Sequence, residues 1–139
     1  AILLAKSTEA DLHAAYVINT RALNDLVKAR IFLREEQEEY QHDIEADADK
    51  YLNHIEALSS QRGVEIGLIK ASGSVNQEIK RIVKEQDVDL LVLGELSHVR
   101  SRRDEFYNEA ERAMRGVKCS VLIVKDEDRV YDLFETGLD

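Results

Sequence analysis

Short apolar runs alternate along the chain with longer stretches in which apolar residues recur every three or four positions. Ile2 to Ala5 is the first such run, short and apolar enough to predict a strand buried on both faces. Ser7 and Thr8 then offer side-chain oxygens to cap a helix. Ala15, Ile18, Ala22 and Leu26 form the stripe of that helix, which the pattern carries to about Lys28. Ala29 to Leu33 predicts a second strand. Glu35, Glu36, Glu38 and Glu39 follow it, where carboxylates favour the positive end of a helix dipole. Tyr40, Ile44, Ala48, Tyr51, Ile55 and Leu58 step by three or four over five turns, and Gly63 marks the stop.

Val64, Ile66 and Leu68 alternate as a third strand, and Gly73 predicts a turn. Ser74 and Gln77 have capping-box spacing ahead of a helix whose apolar face is Val75, Ile79, Ile82 and Val83. Asp89 to Gly94 is a fourth strand ending on glycine, followed by a polar loop from Glu95 to Arg103. Phe106, Ala110, Ala113 and Val117 space out a fourth helix. Val121, Leu122, Ile123 and Val124 form a fifth strand, and Asp126 to Asp139 reads as a polar tail with a short turn around Tyr131, Leu133 and Phe134. Strand and helix alternate throughout, which predicts an α/β fold of three layers: a five-stranded parallel sheet with helices on both faces. Ligands of such open sheets bind beyond the carboxyl ends of the strands, so the loops after the first and fourth strands are the places to look for function.

Composition narrows the classes. At 139 residues, 44% hydrophobic and 34% charged, the chain is the size of one globular domain. Its 19 basic and 28 acidic residues leave a net charge of −9, which repels nucleic acid and anionic lipid headgroups. No run reaches the roughly 18 apolar residues of a membrane span, and the first residues lack the order of a signal peptide. The expected location is cytoplasmic. Cys119 is the single cysteine; it enters an apolar run and is expected to be a buried structural thiol in a reducing compartment.

Asp87 to Gly94 resembles the penultimate strand of universal stress proteins, typically D-L-I-V-M-G. Glu111 to Val124 resembles the closing stretch of that family, typically E-R-V-L-R-H-A-P-C-P-V-L-V-V, and the two fall in register. Weaker agreement reaches back to Ile2, so the resemblance covers a domain over residues 1–125 and leaves 126–139 as a tail. It implies the sheet of the universal stress protein and adenine nucleotide alpha hydrolase-like folds, with members commonly dimeric through the final strand. It also divides members into ATP binders and non-binders. Binders carry glycine, two residues, glycine, nine residues, glycine, then serine or threonine. Carried over from Gly94, that pattern meets Ser97 and Tyr107 where glycines belong and Asn108 where a hydroxyl belongs. Glycines let main chain approach phosphate oxygens closely, so the motif reads as degenerate. Ser7 stands where the family's adenosine-binding aspartate is usual.

His98, Arg100, Arg102 and Arg103 make the switch-point loop basic within an acidic chain. With Gly94, Ser97 and Asn108 they define a vestigial nucleotide site or an anion site; the competing reading is a solvated loop whose arginines pair with Asp104 and Glu105. His13, His42, His54 and His98 lie far apart, and no nucleophile elbow, P-loop or paired-histidine motif occurs. No catalytic residue, metal or resident cofactor is therefore expected. A receiver domain would need acids after the first strand, where Lys6 and Ser7 stand. The apolar edge Val121, Leu122, Ile123, Val124 must be paired, covered or blunted. Pairing with a second copy is the expected answer, the alternative being the tail folded over it. The sequence thus describes a non-catalytic stress-response or regulatory homodimer with an unidentified protein partner. The alternative is an ATP- or AMP-binding regulatory module that uses the basic loop, or a regulatory domain of a larger transporter or kinase.

Overall fold

The computed structural model describes residues 1–20, 34–94 and 103–136. In order these form α1 (Ile2–Thr8), β1 (Leu12–Asn19), α2 (Arg34–Gln61), β2 (Ile66–Gly73), α3 (Val75–Glu85), β3 (Leu90–Gly94), α4 (Arg103–Gly116), β4 (Ser120–Val124) and α5 (Glu127–Thr136).

The first two elements reverse the expectation from the pattern. Ile2 to Ala5 lies in a helix, because Ala, Leu and Lys are strong helix formers and a short apolar run does not by itself distinguish strand from buried helix. Ser7 and Thr8 end this helix and cap nothing that follows: Thr8 Oγ1 donates to the Leu4 carbonyl at 2.7 Å. Glu9 takes the left-handed conformation (φ 55°), and the Ala10 N–H returns to the Ala5 carbonyl. Ala15 and Ile18 belong to a strand. Leu12, Ala14, Tyr16 and Ile18 point inward while His13 and Ala15 are exposed, a period of two that the three- and four-residue spacing concealed. Ala22, Leu26 and the predicted strand Ala29 to Leu33 lie outside the described residues.

From Arg34 onward the pattern and the structure agree closely. On α2, Ala48 and Leu52 are buried, with Ile44, Ile55 and Leu58 beside them. Leu52 takes the inward position expected of Tyr51, which is 57% exposed and stacks on Tyr16 of β1 with ring centroids 5.8 Å apart. Gly63 does close α2: its φ of 68° lets the Val64 N–H reach the Ser59 carbonyl, while the buried Ser59 hydroxyl donates to the Val64 carbonyl at 2.7 Å. Ser74 caps α3 by position, yet its side chain makes no capping hydrogen bond, so the capping-box spacing is present without the box. Val75 and Ile82 anchor α3, and Arg81 on its outer face binds Glu78 and Glu85 at 2.6 and 2.8 Å. The predicted tail is largely the helix α5, started by Asp126, whose Oδ1 accepts the Arg129 N–H at 3.2 Å. Phe134 of α5 lies beneath the Arg62 guanidinium, 4.9 Å away, at the end of α2.

The strands do not form the expected sheet of five. Among the described residues, β1 pairs in parallel with β2, from Leu12 opposite Ile66 to Asn19 opposite Gly73; β3 pairs in parallel with β4, from Leu90 opposite Ser120 to Gly94 opposite Val124. Of the expected strands, the run Ile2 to Ala5 is helical, its place in the order falls to β1, and Ala29 to Leu33 lies outside the described residues. α2 packs on β1 and β2, and α3 packs on both and alongside α4. The buried apolar core is Ala5, Ile18, Ala48, Leu52, Ala71, Val75, Ile82, Ala110 and Ala113, which places it around the β1–β2 pair and the α3–α4 contact.

This packing predicts that Leu52→Ala lowers unfolding stability by about 2–4 kcal/mol, whereas Tyr51→Ala costs only about 1 kcal/mol, the scale of an aromatic pair. Equal losses in denaturant titrations would contradict the assignment of Leu52 to the core.

Candidate functional site

Two places lie at carboxyl ends of strands. At the β1–β2 pair, Asn19 ends one strand opposite Gly73, which ends the other with φ 139°. Only glycine takes that backbone conformation without strain, and it turns the chain directly into Ser74 and α3. Val75 is fully buried and fixes the first turn of the helix. The amide oxygens of Asn19 and Asn76 are both shielded from solvent without a hydrogen-bond partner among the described residues. A buried acceptor left unmatched costs free energy, so a pair of them at this end of a sheet marks a place where a donor would be accepted. Neither asparagine stands out in the sequence. The available signal was an amide at the end of an apolar strand and another just after a strand-ending glycine.

The second place is the carboxyl end of β3, where the pattern located the site. Gly94 ends β3 opposite Val124; it is exposed, and open space surrounds the position a Cβ would take. Nothing in its described surroundings demands a glycine. Ser97, His98, Arg100 and Arg102 lie outside the described residues, and Arg103 opens α4. Positions 107 and 108 fall within α4, whose ladder of hydrogen bonds runs from each N–H to the carbonyl four residues earlier. The N–H groups of Tyr107 and Asn108 are therefore committed inside the helix; only those of its first four residues remain free. Ser7 is likewise in α1 and stands at no strand end, so its comparison with the family's aspartate does not hold spatially, and neither does the argument from Lys6 and Ser7 about a receiver domain.

At the opposite, amino end of β1 and β2 an open depression of ≈ 580 Å³ is walled by Lys6, Glu9, Asp11, His13, Glu65 and Gly67, among others. Its charges are mixed, and the His13 ring lies across Gly67, where an added Cβ would meet His13 Cδ2 at 2.7 Å. His42 and His54 are exposed. No group of three His, Cys, Asp or Glu side chains is placed to hold a metal among the described residues, and no described helix is long and apolar enough to cross a membrane. Cys119 is a free thiol just before β4, half-buried rather than fully buried as its apolar context suggested. Along β4, Val121, Ile123 and Val124 are half-buried and Leu122 is 41% exposed; among the described strands it pairs only with β3.

Parallel strand pairs with covering helices define an α/β protein. The chain belongs to the universal stress protein family, whose model matches residues 1–125. That membership supports a stress-response role. Two solved structures share the fold. Hypothetical protein MJ0577, a structural-genomics test case for assigning biochemical function from structure, has 20% identity and a TM-score of 0.62, over 85% of this chain and 77% of its own. A universal stress protein family member from Burkholderia pseudomallei has 19% identity and a TM-score of 0.65, over 90% of this chain and 81% of its own. No curated protein is significantly similar to the chain.

Tyr16 lies within the β1 side of this framework. Burial, with Tyr51 and Asp47 adding to it, raises its phenol above the ordinary value of 10.0. The unfolded chain then ionises first, so stability is untouched below that value and falls as pH rises through the folded-state value. Tyr16→Phe should show a shallower loss of stability than the parent between about pH 9 and 11; parallel declines would contradict the assignment.

Proposed function

We propose that this chain is a non-catalytic stress-response regulator that works as a homodimer and holds no nucleotide. The position of residues 107 and 108 carries the reading. A phosphate-binding loop needs free N–H groups in a concave stretch of main chain. Here the two positions that should supply its far end lie inside α4, with their N–H groups spent on helix bonds, and the residues themselves are a tyrosine and an asparagine. Gly94 alone retains the motif.

The dimer part of the proposal rests on β4. Members of the family are often dimers, and Leu122 presents an apolar side chain on a strand paired on only one side among the described strands. An edge of this kind is a ready template for a second strand. The rival cover is the tail, most of which is the helix α5, with Phe134 against Arg62.

A second reading, a nucleotide-binding regulatory module, draws on Asn19 and Asn76. Their unmatched amide oxygens accept hydrogen bonds, so they suit a base amino group or ribose hydroxyls and not phosphate. Phosphate would fall to Arg100, Arg102 and Arg103, which the sequence places in the loop preceding α4 and at its start.

Two measurements separate the readings. Calorimetry with ATP, ADP and AMP, with and without magnesium, should give no sub-millimolar binding; such binding, weakened by Asn19→Ala or by the Arg102→Ala/Arg103→Ala double variant, would establish the second reading. Sedimentation at micromolar concentration should show a dimer that Leu122→Lys dissociates. A monomeric parent chain would overturn the dimer.

A further inference from the structure

Two kinds of contact set α2 on the β1–β2 pair and hold one pair of rings together. Ala48 and Leu52 are buried, which fixes the face that the helix turns to the strands. Asp49 Oδ1 meets Lys70 Nζ of β2 at 3.0 Å, and Lys70 is the register partner of Tyr16 on β1. Tyr51, beside these anchors, stacks on Tyr16 with ring centroids 5.8 Å apart and planes 12° apart. Core packing does not require a tyrosine at position 51: the ring is 57% exposed, and Leu52 fills the inward position.

Two phenols held in contact have a reaction that a lone tyrosine lacks. One-electron oxidation takes an electron and the hydroxyl proton, leaving a radical whose spin lies partly on the ring carbons ortho to oxygen. Two such radicals couple through those carbons, and the ortho hydrogens then move to the oxygens, which restores two phenols joined by a carbon–carbon bond. The net loss is two electrons and two protons. One molecule of hydrogen peroxide, activated by a haem, accepts them and becomes two waters. Tyr51, the more exposed ring, meets the oxidant first. Its radical takes the hydrogen of Tyr16, whose phenol burial keeps protonated, and Tyr51 is then oxidised a second time. Coupling within one chain has the advantage of proximity over coupling between chains.

We propose that Tyr16 and Tyr51 are an oxidative modification site, which hydrogen peroxide and a haem peroxidase join into an intramolecular dityrosine that ties α2 to β1. Rotation about the side-chain torsions of Tyr51 carries the stacked rings into the edge-to-edge geometry of the product. The bond closes the chain from Tyr16 to Tyr51 and, as any cross-link does, restricts the unfolded state more than the folded one. A member of a stress-response family would thereby gain resistance to unfolding under the condition that generates the oxidant.

The test treats a dilute solution of the full chain with hydrogen peroxide and a haem peroxidase. The expected product is a single chain lighter by two hydrogens, with dityrosine fluorescence and one cross-linked peptide pair that carries Tyr16 and Tyr51. Its Tm should lie about 5–10 °C above that of the untreated chain. Tyr16→Phe and Tyr51→Phe, which keep the rings, should each lower the dityrosine yield about tenfold or more. Tyr131→Phe, at a residue 61% exposed, should leave the Tyr16–Tyr51 product unchanged. Unfolding the chain in urea before oxidation should lower that product by a similar factor, since the stack is then gone. Cross-links spread over Tyr40, Tyr107 and Tyr131, or formed between chains, would overturn the proposal. So would a Tyr16–Tyr51 yield unchanged in urea, or hydroxylated tyrosines as the sole products.

Discussion

Main-chain hydrogen bonding between parallel strands is the constraint on which the rest of this structure depends. Parallel pairs require a crossover for every return, and the helix in that crossover must bury its apolar face on the strands it spans. α2 does so between β1 and β2, and Ala48 and Leu52 are its buried residues. α3 does so from β2 onward, with Val75 and Ile82 as its anchors, and its contact with α4 brings the small side chains Ala110 and Ala113 out of water. The β1–β2 half is consequently well packed, and the β3–β4 half is held mainly through its helices.

The same constraint locates the chemistry. Where a strand ends and the chain must turn at once into a helix, main-chain and amide groups are left facing the carboxyl end of the sheet. Gly73 makes that turn after β2, and the unmatched oxygens of Asn19 and Asn76 lie beside it. After β3 the equivalent place is Gly94, which is exposed and uncrowded. The first is built from amide acceptors, and the second is followed in sequence by the basic residues Arg100, Arg102 and Arg103.

Much of this was legible from residues. Ile44, Ala48, Ile55 and Leu58 mark α2, Val75 and Ile82 mark α3, and the apolar runs ending at Gly94 and Val124 mark β3 and β4, because in each the period and the stop signal agree. The beginning of the chain was not legible, for a physical reason. Ile2, Leu3, Leu4 and Ala5 suit a buried strand and a buried helix turn equally well, and β1 contains both an alternating pattern and, through Ala15 and Ile18, an accidental helical spacing. Tertiary pairing with Ile66 to Gly73 decides between them, and no local signal reports it. α5 escaped notice because polar residues dominate it, although Asp126 supplies its cap and Val130, Leu133 and Phe134 share a face. The asparagines escaped because an unmatched amide is a property of surroundings and not of sequence. Around Gly94 the sequence shows Ser97 and Tyr107 where the family's nucleotide motif has glycines, and the spacing of Phe106, Ala110, Ala113 and Val117 already puts Tyr107 inside a helix.

The central claim is that, among the described residues, the strands form two parallel pairs and β1 and β3 do not pair with each other. Nuclear Overhauser contacts between amide and α protons test it directly. The account predicts cross-strand contacts in the registers that place Leu12 opposite Ile66 and Leu90 opposite Ser120, and none between β1 and β3. Contacts joining β1 directly to β3 in the isolated chain would contradict it.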